Sequence, residues 1–445
     1  MKRPGHVILL ILLSASASFS QPCTDNGIFP EEYAQRRLHL AEIMDSTAVL
    51  VMKTPEPATE FEYMNFRQDP DFLYLTGVDK PGYSLIIDPK GIQIGEKIFQ
   101  AILFAPKSSL EGSSAFSSQE SPYSLFEGKK DTVMDQPDFR KVFDQVLKGR
   151  KTLYYTAPGL TFLHDWVNDK PYFLEKEVQK SLKQRYPGLK MVKATSWIAR
   201  LRQFKSAAEL ELLRKAIALT GDGIRQAMKT CKPGIWEYEI QAEVEYSMRK
   251  GGAERESFRS IIGAGINSLS PHYDENHCQA GTGELLVMDV GAEYHHYAAD
   301  ITRTIPVSGR FTPAQKTIYE AVLGVQKDLI ALVRPGMATL KIDELANELI
   351  TKAGYRKYIM HGVTHPLGLD VHDVSASGVL EEGMVITLEP GIYIPSNDTL
   401  LPADFRGFGI RIEDDILITR EGNEVLSKDI PKEVADIERL MSKKK

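Results

Sequence analysis

The 445-residue sequence has few cysteines, no block of basic residues and no apolar run long enough to cross a bilayer. Three cysteines in a chain of this length exclude a disulfide framework and leave room for one bridge at most. A formal net charge of −6 without a basic cluster argues against nucleic acid as a partner. The apolar run Val7–Leu13 is far shorter than the roughly 20 residues of a membrane span, so we expect no span in the mature chain.

The amino terminus has the pattern of a secretory signal. Lys2 and Arg3 form a basic region, Val7–Leu13 forms an apolar core, and residues 14–20 are mostly small. This order is typical of a signal peptide, which we assign to residues 1–20, although a short membrane anchor is the alternative. We therefore expect a periplasmic or secreted protein.

The length predicts at least two domains, because a single hydrophobic core stops growing at roughly 250–300 residues. Strands and helices alternate over residues 24–192, which indicates a mixed α/β amino-terminal domain. Eight serines within residues 107–131 predict an exposed loop there. The predicted elements are helices at 31–44 and 139–147 and strands at 46–52, 72–77, 83–89, 100–105 and 152–155.

Residues 197–440 form the second predicted domain, which contains an internal repeat. Ser206 and Glu209 have the spacing of a capping box and predict a long helix after them. Pro-Gly pairs precede two further predicted helices, at Pro233 and again 102 residues later at Pro335. Two pseudo-symmetric α/β halves with a site at their interface explain this recurrence, and a chance repetition of Pro-Gly helix starts is the alternative.

Two carboxylates of the second domain occupy strand positions where apolar residues are expected. Asp289 lies in the segment 286–294, LVMDVGAEY, and Asp300 lies in the segment 297–304, YAADITRT. Aspartate is depleted in strands and is rarely buried unless it is paired or binds a metal. The two carboxylates could converge on one cation, and solvated strand ends are the other interpretation.

The same arrangement returns about a hundred residues later. Glu389 lies in the segment 385–393, VITLEPGIY, and Glu413 lies in the segment 409–416, GIRIEDDI. Between the two pairs of acids lies a histidine-rich segment at 361–373, HGVTHPLGLDVHD. Four carboxylates in strands together with a histidine cluster are difficult to explain as solvated surface, so we predict a dinuclear metal site.

The donor types indicate which ions this site would bind. Carboxylate oxygens with one imidazole suit divalent ions such as Mn²⁺, with Zn²⁺ or Co²⁺ as alternatives. Two such ions about 3.5–4 Å apart can activate water for amide hydrolysis. The predicted ligands are Asp289, Asp300, His365, Glu389 and Glu413.

These segments together resemble the aminopeptidase P (Xaa-Pro aminopeptidase) family of the pita-bread metallopeptidase superfamily. The resemblance covers residues from about 30 to 430 and includes the segment from Glu62 to Gly77 in the first domain. It implies an α/β fold with a pita-bread catalytic domain of two pseudo-symmetric halves after a mixed α/β amino-terminal domain. It also implies metal-dependent release of the first residue from peptides with proline second, and a dimer or tetramer.

The resemblance further implies a role for each predicted ligand. Asp300 and Glu413 would bridge both ions, Asp289 would bind one ion, and His365 and Glu389 would complete the other.

Other residues would act around the metal ions. Glu389 would also move a proton between water and the leaving nitrogen. His361 and His372 would contact the substrate, and His272 matches another active-site histidine. Arg411 would hold ligand carboxylates. A core position for His361 and a structural ion pair for Arg411 are the alternatives.

Some positions depart from the family pattern and leave specificity open. Pro366 stands where a large aromatic residue is common, and the segment from His372 to Glu389 is short. A prolidase that cleaves Xaa-Pro dipeptides is the main alternative, and Thr364 with the full amino-terminal domain favours aminopeptidase P. A metal-free binding protein on the same fold would have lost ligands, but all five are present.

Overall fold

The computed structural model describes residues 27–54, 66–106, 126, 128–156, 162–165 and 170–442. The predicted signal peptide and most of the predicted serine-rich loop lie outside the described residues. Within the described part of the chain, no helix has the length and apolar character needed to cross a membrane.

The first unit, residues 27–193, is a mixed α/β domain, as predicted. Its described strands are β1 (Ala48–Lys53), β2 (Ser84–Ile94), β3 (Lys97–Ala105), β4 (Asp131–Asp135), β5 (Thr152–Tyr155), β6 (Phe162–Asp165), β7 (Lys170–Phe173) and β8 (Lys190–Lys193). Its described helices are α1 (Pro30–Ile43), α2 (Pro70–Thr76), α3 (Phe139–Val146) and α4 (Leu174–Arg185). Six strands form one sheet in the order β4-β3-β2-β1-β5-β8, while β6 and β7 pair separately. Alternate side chains along the central strands enter two apolar clusters, one on each face of the sheet.

The strand predicted at 72–77 is wrong, because this segment is helix α2. The Asp69 carboxylate accepts a hydrogen bond from the Phe72 N–H at 2.9 Å, and Pro70 occupies the first turn. Gly77, at φ +70°, ends the helix in the left-handed region, and its N–H donates to the Leu73 carbonyl. Caps at both ends therefore outweigh the apolar, aromatic composition that suggests a strand.

The second unit, residues 195–442, surrounds the predicted site. Its described helices are α5 (Thr195–Arg202), α6 (Ala207–Thr230), α7 (Glu237–Lys250), α8 (Pro313–Leu332), α9 (Thr339–Lys352) and α10 (Val434–Ser442). Its described strands are β9 (Arg255–Glu256), β10 (Ile261–Ala264), β11 (Leu285–Val290), β12 (Ala292–Tyr294), β13 (Tyr297–Ala298), β14 (Ile301–Pro306), β15 (Val385–Leu388), β16 (Gly391–Ile394), β17 (Phe408–Arg411), β18 (Asp414–Ile418) and β19 (Asn423–Val425). The capping box predicted at Ser206 and Glu209 is confirmed at the start of α6.

The internal repeat is visible in the backbone. The Gly234 N–H donates to the Ala280 carbonyl at 2.8 Å, and the Gly336 N–H donates to the Leu380 carbonyl at 2.8 Å. Both glycines have φ +85°, a conformation that disfavours side chains. The two halves therefore start in the same way, with a Pro-Gly turn that is held to the segment before the next strand.

Three ligand candidates lie where the strands of the second unit are interrupted. Asp300 immediately precedes β14. In the second half, Leu388 pairs with Asp414 and Gly391 pairs with Arg411. The residues between these pairs, Glu389-Pro390 on one strand and Ile412-Glu413 on the other, belong to no ladder. The interruptions leave these acids free of regular strand pairing beside the cavity.

Candidate metal centre

One cavity of about 840 Å³ contains every predicted site residue in its wall. Both halves of the second unit contribute to the wall, as the repeat suggests. The predicted residues that line it are His272, Asp289, Asp300, His361, His365, His372, Glu389, Arg411 and Glu413.

Three of these side chains form a tight group of potential metal donors. Ligand atoms of Asp300, His365 and Glu413 lie within 4.8 Å of one another. Nε2 of His365 is 3.4 Å from Asp300 Oδ2 and 3.6 Å from Glu389 Oε1. Nδ1 of the same ring lies 3.0 Å from the Pro366 carbonyl oxygen. A proton on Nδ1 can therefore donate to this carbonyl, which leaves the Nε2 lone pair facing the carboxylates.

Two buried carboxylate oxygens in the cavity lack a hydrogen-bond partner among the residues that the structure describes. They are Oδ1 of Asp289 and Oε1 of Glu413. Buried polar atoms are nearly always partnered, so an unpartnered carboxylate oxygen indicates a missing positive or donor group. The donor set is rich in oxygen with one imidazole, and it fits divalent cations.

The electrostatics of the cavity also favour a cation. Burial raises the pKa of Asp300 well above its ordinary value, and the nearby Asp289 carboxylate raises it further. Burial and the Asp300 carboxylate also raise the pKa of Glu413 well above its ordinary value. The same two causes raise the pKa of Glu389 to about 8. Carboxylates this close and this buried resist ionising together unless positive charge compensates them.

Arg411 supplies part of that charge and orients two of the predicted ligand carboxylates. Its NH2 group donates to Asp289 Oδ2 at 2.6 Å. Its Nε–H donates to the Thr302 hydroxyl at 3.0 Å, and that hydroxyl donates to Glu413 Oε2 at 2.8 Å. Its NH1 group donates to the Tyr393 hydroxyl at 2.8 Å. The Arg411 guanidinium therefore forms an ion pair with Asp289 and contacts Glu413 indirectly, through the Thr302 hydroxyl.

The three remaining histidines line the cavity beside this group. Nε2 of His361 lies 2.7 Å from the Tyr393 hydroxyl, and its Nδ1 lies 3.7 Å from Glu389 Oε2. The rings of His372 and His365 have centroids 4.2 Å apart. Burial lowers the pKa of both His361 and His372, so both rings are predominantly neutral at pH 7. His272 lines the same cavity.

Four side chains in or beside the cavity are not among the predicted site residues. Thr302 lies two residues after Asp300, so the two-residue period of a strand could have identified it. Tyr393 and Asp415 were inside segments already singled out; Asp415 Oδ2 accepts a hydrogen bond from the Asp300 N–H at 3.3 Å. Arg67 lines the cavity from the first unit, and no local signal in the sequence indicates this.

Comparison with known proteins gives consistent matches along the chain. The family model described as Metallopeptidase family M24 matches residues 211–420, and that described as Aminopeptidase P, N-terminal domain matches residues 33–154. The chain is 34% identical to the Xaa-Pro aminopeptidase of Escherichia coli (strain K12), over 92% of this chain and 97% of that protein. It is 32% identical to the mitochondrial Intermediate cleaving peptidase 55 of Arabidopsis thaliana, over 94% of this chain and 84% of that protein.

Solved structures give the same result for the fold. Aminopeptidase P from E. coli with the inhibitor Pro-Leu superimposes with a TM-score of 0.76 at 32% identity, covering 93% of this chain and 98% of that one. Pseudomonas aeruginosa aminopeptidase PepP superimposes with a TM-score of 0.78 at 32% identity and the same coverage. The chain therefore has the pita-bread fold expected from the sequence, the same fold as these aminopeptidases.

Proposed function

The chain belongs to the aminopeptidase P group of metallopeptidase family M24 and is a metal-dependent peptidase; on this premise we propose that it releases the amino-terminal residue from peptides with proline second. We further propose that it uses two divalent ions, with Mn²⁺ as the first candidate. The observation that carries the proposal is the convergence of all predicted site residues on one cavity that contains two unpartnered, buried carboxylate oxygens.

The proposed ligands are the five residues that the sequence identified, Asp289, Asp300, His365, Glu389 and Glu413. When bound, divalent ions supply Lewis-acid activation of the scissile carbonyl and of water. The donor groups support this assignment, because the four carboxylates and the imidazole of these residues line one cavity together with the buried Arg411 as counter-charge.

The proposed roles of the remaining side chains follow from their positions. We assign to Glu389 the transfer of a proton to the leaving proline nitrogen, as the family resemblance implies for this position, and its carboxylate lies in the cavity wall 3.7 Å from Nδ1 of His361. Both ring nitrogens of His361 lie 2.7 Å from protein oxygens, the Tyr393 hydroxyl and the Gly362 carbonyl, and these contacts fix its ring in the cavity wall, where we place it against the peptide. Neutral His372 can donate or accept one hydrogen bond to orient the peptide. Arg411 holds Asp289 directly, so it maintains the ligand geometry.

A substrate comparison tests the proposal. The Mn²⁺-loaded protein is assayed on Ala-Pro-Ala, Ala-Pro and Ala-Ala-Ala, with a chelator-treated sample as the control. We expect cleavage of Ala-Pro-Ala to exceed that of the other two peptides and to disappear on chelation. Preference for Ala-Pro would instead indicate a prolidase, and equal cleavage of Ala-Ala-Ala would contradict the requirement for proline.

We also propose that the mature protein begins after residue 20, lies outside the cytoplasm and forms a dimer or tetramer. The amino-terminal sequence pattern supports the first two statements, and the family resemblance supports the third. Amino-terminal sequencing of the protein from its native source and light scattering of the purified enzyme test these proposals.

A further inference from the structure

Arg67 is the arginine of the first unit that lines the cavity of the candidate metal centre. Its Nε–H donates to Glu293 Oε2 at 3.1 Å, and its NH2 group donates to the Leu369 carbonyl at 2.7 Å. Its NH1 group lies 3.5 Å from Asp370 Oδ1, at the long limit of a hydrogen bond. The side chain is 30% exposed. Arg67 is therefore anchored to the second unit and still accessible from the cavity.

Arg67 has hydrogen-bonding capacity that its partners among the described residues leave unused. A guanidinium carries five N–H donors, and the contacts above use three of them. Among the described residues lining the cavity, Arg411 is the other arginine and no lysine is present. Four donors of Arg411 are used by protein groups, and its side chain is 2% exposed. Arg67 is thus the cation of the cavity wall with donors available to a ligand.

The chemistry of the proposed substrate requires such a donor beyond the scissile bond. Proline has no N–H, so the first polar main-chain atom after the scissile nitrogen is a carbonyl oxygen, which accepts hydrogen bonds. The carboxylates of the cavity would repel the carboxylate at the end of a short peptide. Asp370, which Arg67 contacts, is two residues before His372, so Arg67 lies next to the segment that carries a substrate-facing histidine.

We propose that Arg67 binds a main-chain oxygen of the residue that follows proline in the substrate. In a tripeptide this oxygen belongs to the terminal carboxylate, and in a longer peptide it belongs to a carbonyl group. The inference rests on the proposed function and makes the first unit a part of the substrate site. It also explains physically why a tripeptide would be preferred to a dipeptide, which ends at proline and lacks this group.

The test compares Arg67→Met with the wild type, both loaded with Mn²⁺, on Ala-Pro-Ala, Ala-Pro-Ala-amide and Ala-Pro. Methionine keeps much of the length of the side chain and removes its charge and donors. Loss of a charge-assisted hydrogen bond predicts a fall of about 10- to 100-fold in kcat/KM on the tripeptide. We expect kcat/KM on Ala-Pro to change less than about threefold.

Arg255→Met is the matched control. Arg255 contacts the same buried carboxylate, with its Nε 3.4 Å from Glu293 Oε1, but it does not line the cavity. A purely structural role of Arg67 would therefore affect both variants alike, in kcat/KM and in Tm. Arg67→Lys keeps the charge and is expected to recover part of the tripeptide activity.

The outcomes separate this inference from the proposed function. A larger loss on the free tripeptide than on its amide would identify the terminal carboxylate as the group bound, and equal losses would identify the carbonyl. Unchanged kinetics of a folded Arg67→Met on both tripeptides would refute the inference, as would an equal loss on Ala-Pro or in Arg255→Met. Absence of Ala-Pro-Ala cleavage by the wild type would instead refute the proposed function.

Discussion

Replacing Arg202 by methionine should destabilise the protein, and more strongly at pH 8 than at pH 5. The Arg202 guanidinium is 3% exposed and donates to Asp71 at 2.7 Å, to Asp370 at 2.9 Å and to Asp373 at 2.5 Å. It joins the first unit to the segment that carries His372. Removing it leaves the Asp71 carboxylate, which is 7% exposed, without its cation.

The size of the effect follows from this geometry. Removing one partner of a buried ion pair costs about 3–5 kcal/mol, because the other charge stays buried without compensation. Asp373 keeps a second cation, since Lys205 Nζ donates to it at 3.0 Å. Among the described residues Asp71 pairs with no second cation, so we expect a loss near 3 kcal/mol in the free energy of unfolding at pH 8.

The pH dependence has a definite sign. The pKa of Asp71 is raised to about 6, chiefly by burial. Arg202 acts to lower this pKa, and Asp69 and Asp370 act to raise it. Burial also acts to raise the pKa of Asp373, but Lys205 and Arg202 hold it below its usual value. Without Arg202 both folded-state pKa values rise, so the folded protein binds protons more tightly. The deficit therefore shrinks as pH falls from 8 to 5, by about 1.4 kcal/mol for each unit of pKa increase that lies within this range.

Urea unfolding of wild type and Arg202→Met at pH 5 and pH 8, both treated with chelator, measures the two deficits. The control is Arg214→Met, because Arg214 pairs with Glu424 at 2.7 Å on the surface, with both side chains about one-third exposed. We expect its cost to stay within about 1 kcal/mol at both pH values. A deficit of Arg202→Met no larger than that of the control at pH 8, or one that grows toward pH 5, would refute the reasoning.

Two further predictions concern the metal centre and the backbone that supports it. Glu413→Gln should lower the amount of bound metal, measured by elemental analysis, and reduce kcat/KM at least about 100-fold, because it removes the charge of a proposed ligand. Full activity with unchanged metal content would contradict the ligand assignment. Gly291→Ala should lower Tm strongly, because a Cβ at this position would lie 1.9 Å from the Ala299 carbonyl oxygen. The control is Gly324→Ala in helix α8, where a Cβ would meet nothing within 4 Å. We expect this variant to be neutral or more stable by up to about 1 kcal/mol. Equal melting temperatures of the two glycine variants would show that the close approach at Gly291 is not required.

Local signals in the sequence were sufficient for much of the fold. The capping box at Ser206 and Glu209 determines where helix α6 begins, because both hydrogen bonds join residues three positions apart. The same kind of signal was present before α2, where Asp69 and Pro70 precede an apolar segment that ends at Gly77. The composition predicts a strand all the same, because Phe72, Tyr74 and Thr76 also suit a strand.

The candidate site was predictable to the extent that its residue types are unusual for their positions. Asp289 lies inside strand β11, and Asp300, Glu389 and Glu413 lie at strand ends, all in apolar segments that rarely hold acids. An acid in an apolar segment is visible without a structure, because burying it requires a compensating partner. Together with the histidine-rich segment 361–373 these acids predict a metal as the partner, and the family resemblance adds roles for His272, His361 and His372.

The contacts that orient these residues depend on the tertiary structure. Arg411 reaches Asp289 across 122 positions, Arg202 reaches Asp373 across 171, and Arg67 reaches Glu293 across 226. No local pattern distinguishes such an arginine from a solvated one, because its partners are set by tertiary packing within the second unit or between the two units. The sequence by itself determined which acids and histidines form the site. Only the tertiary structure decided which cations hold them in place, and which one is still accessible to a substrate, because burial and distance exist only after folding.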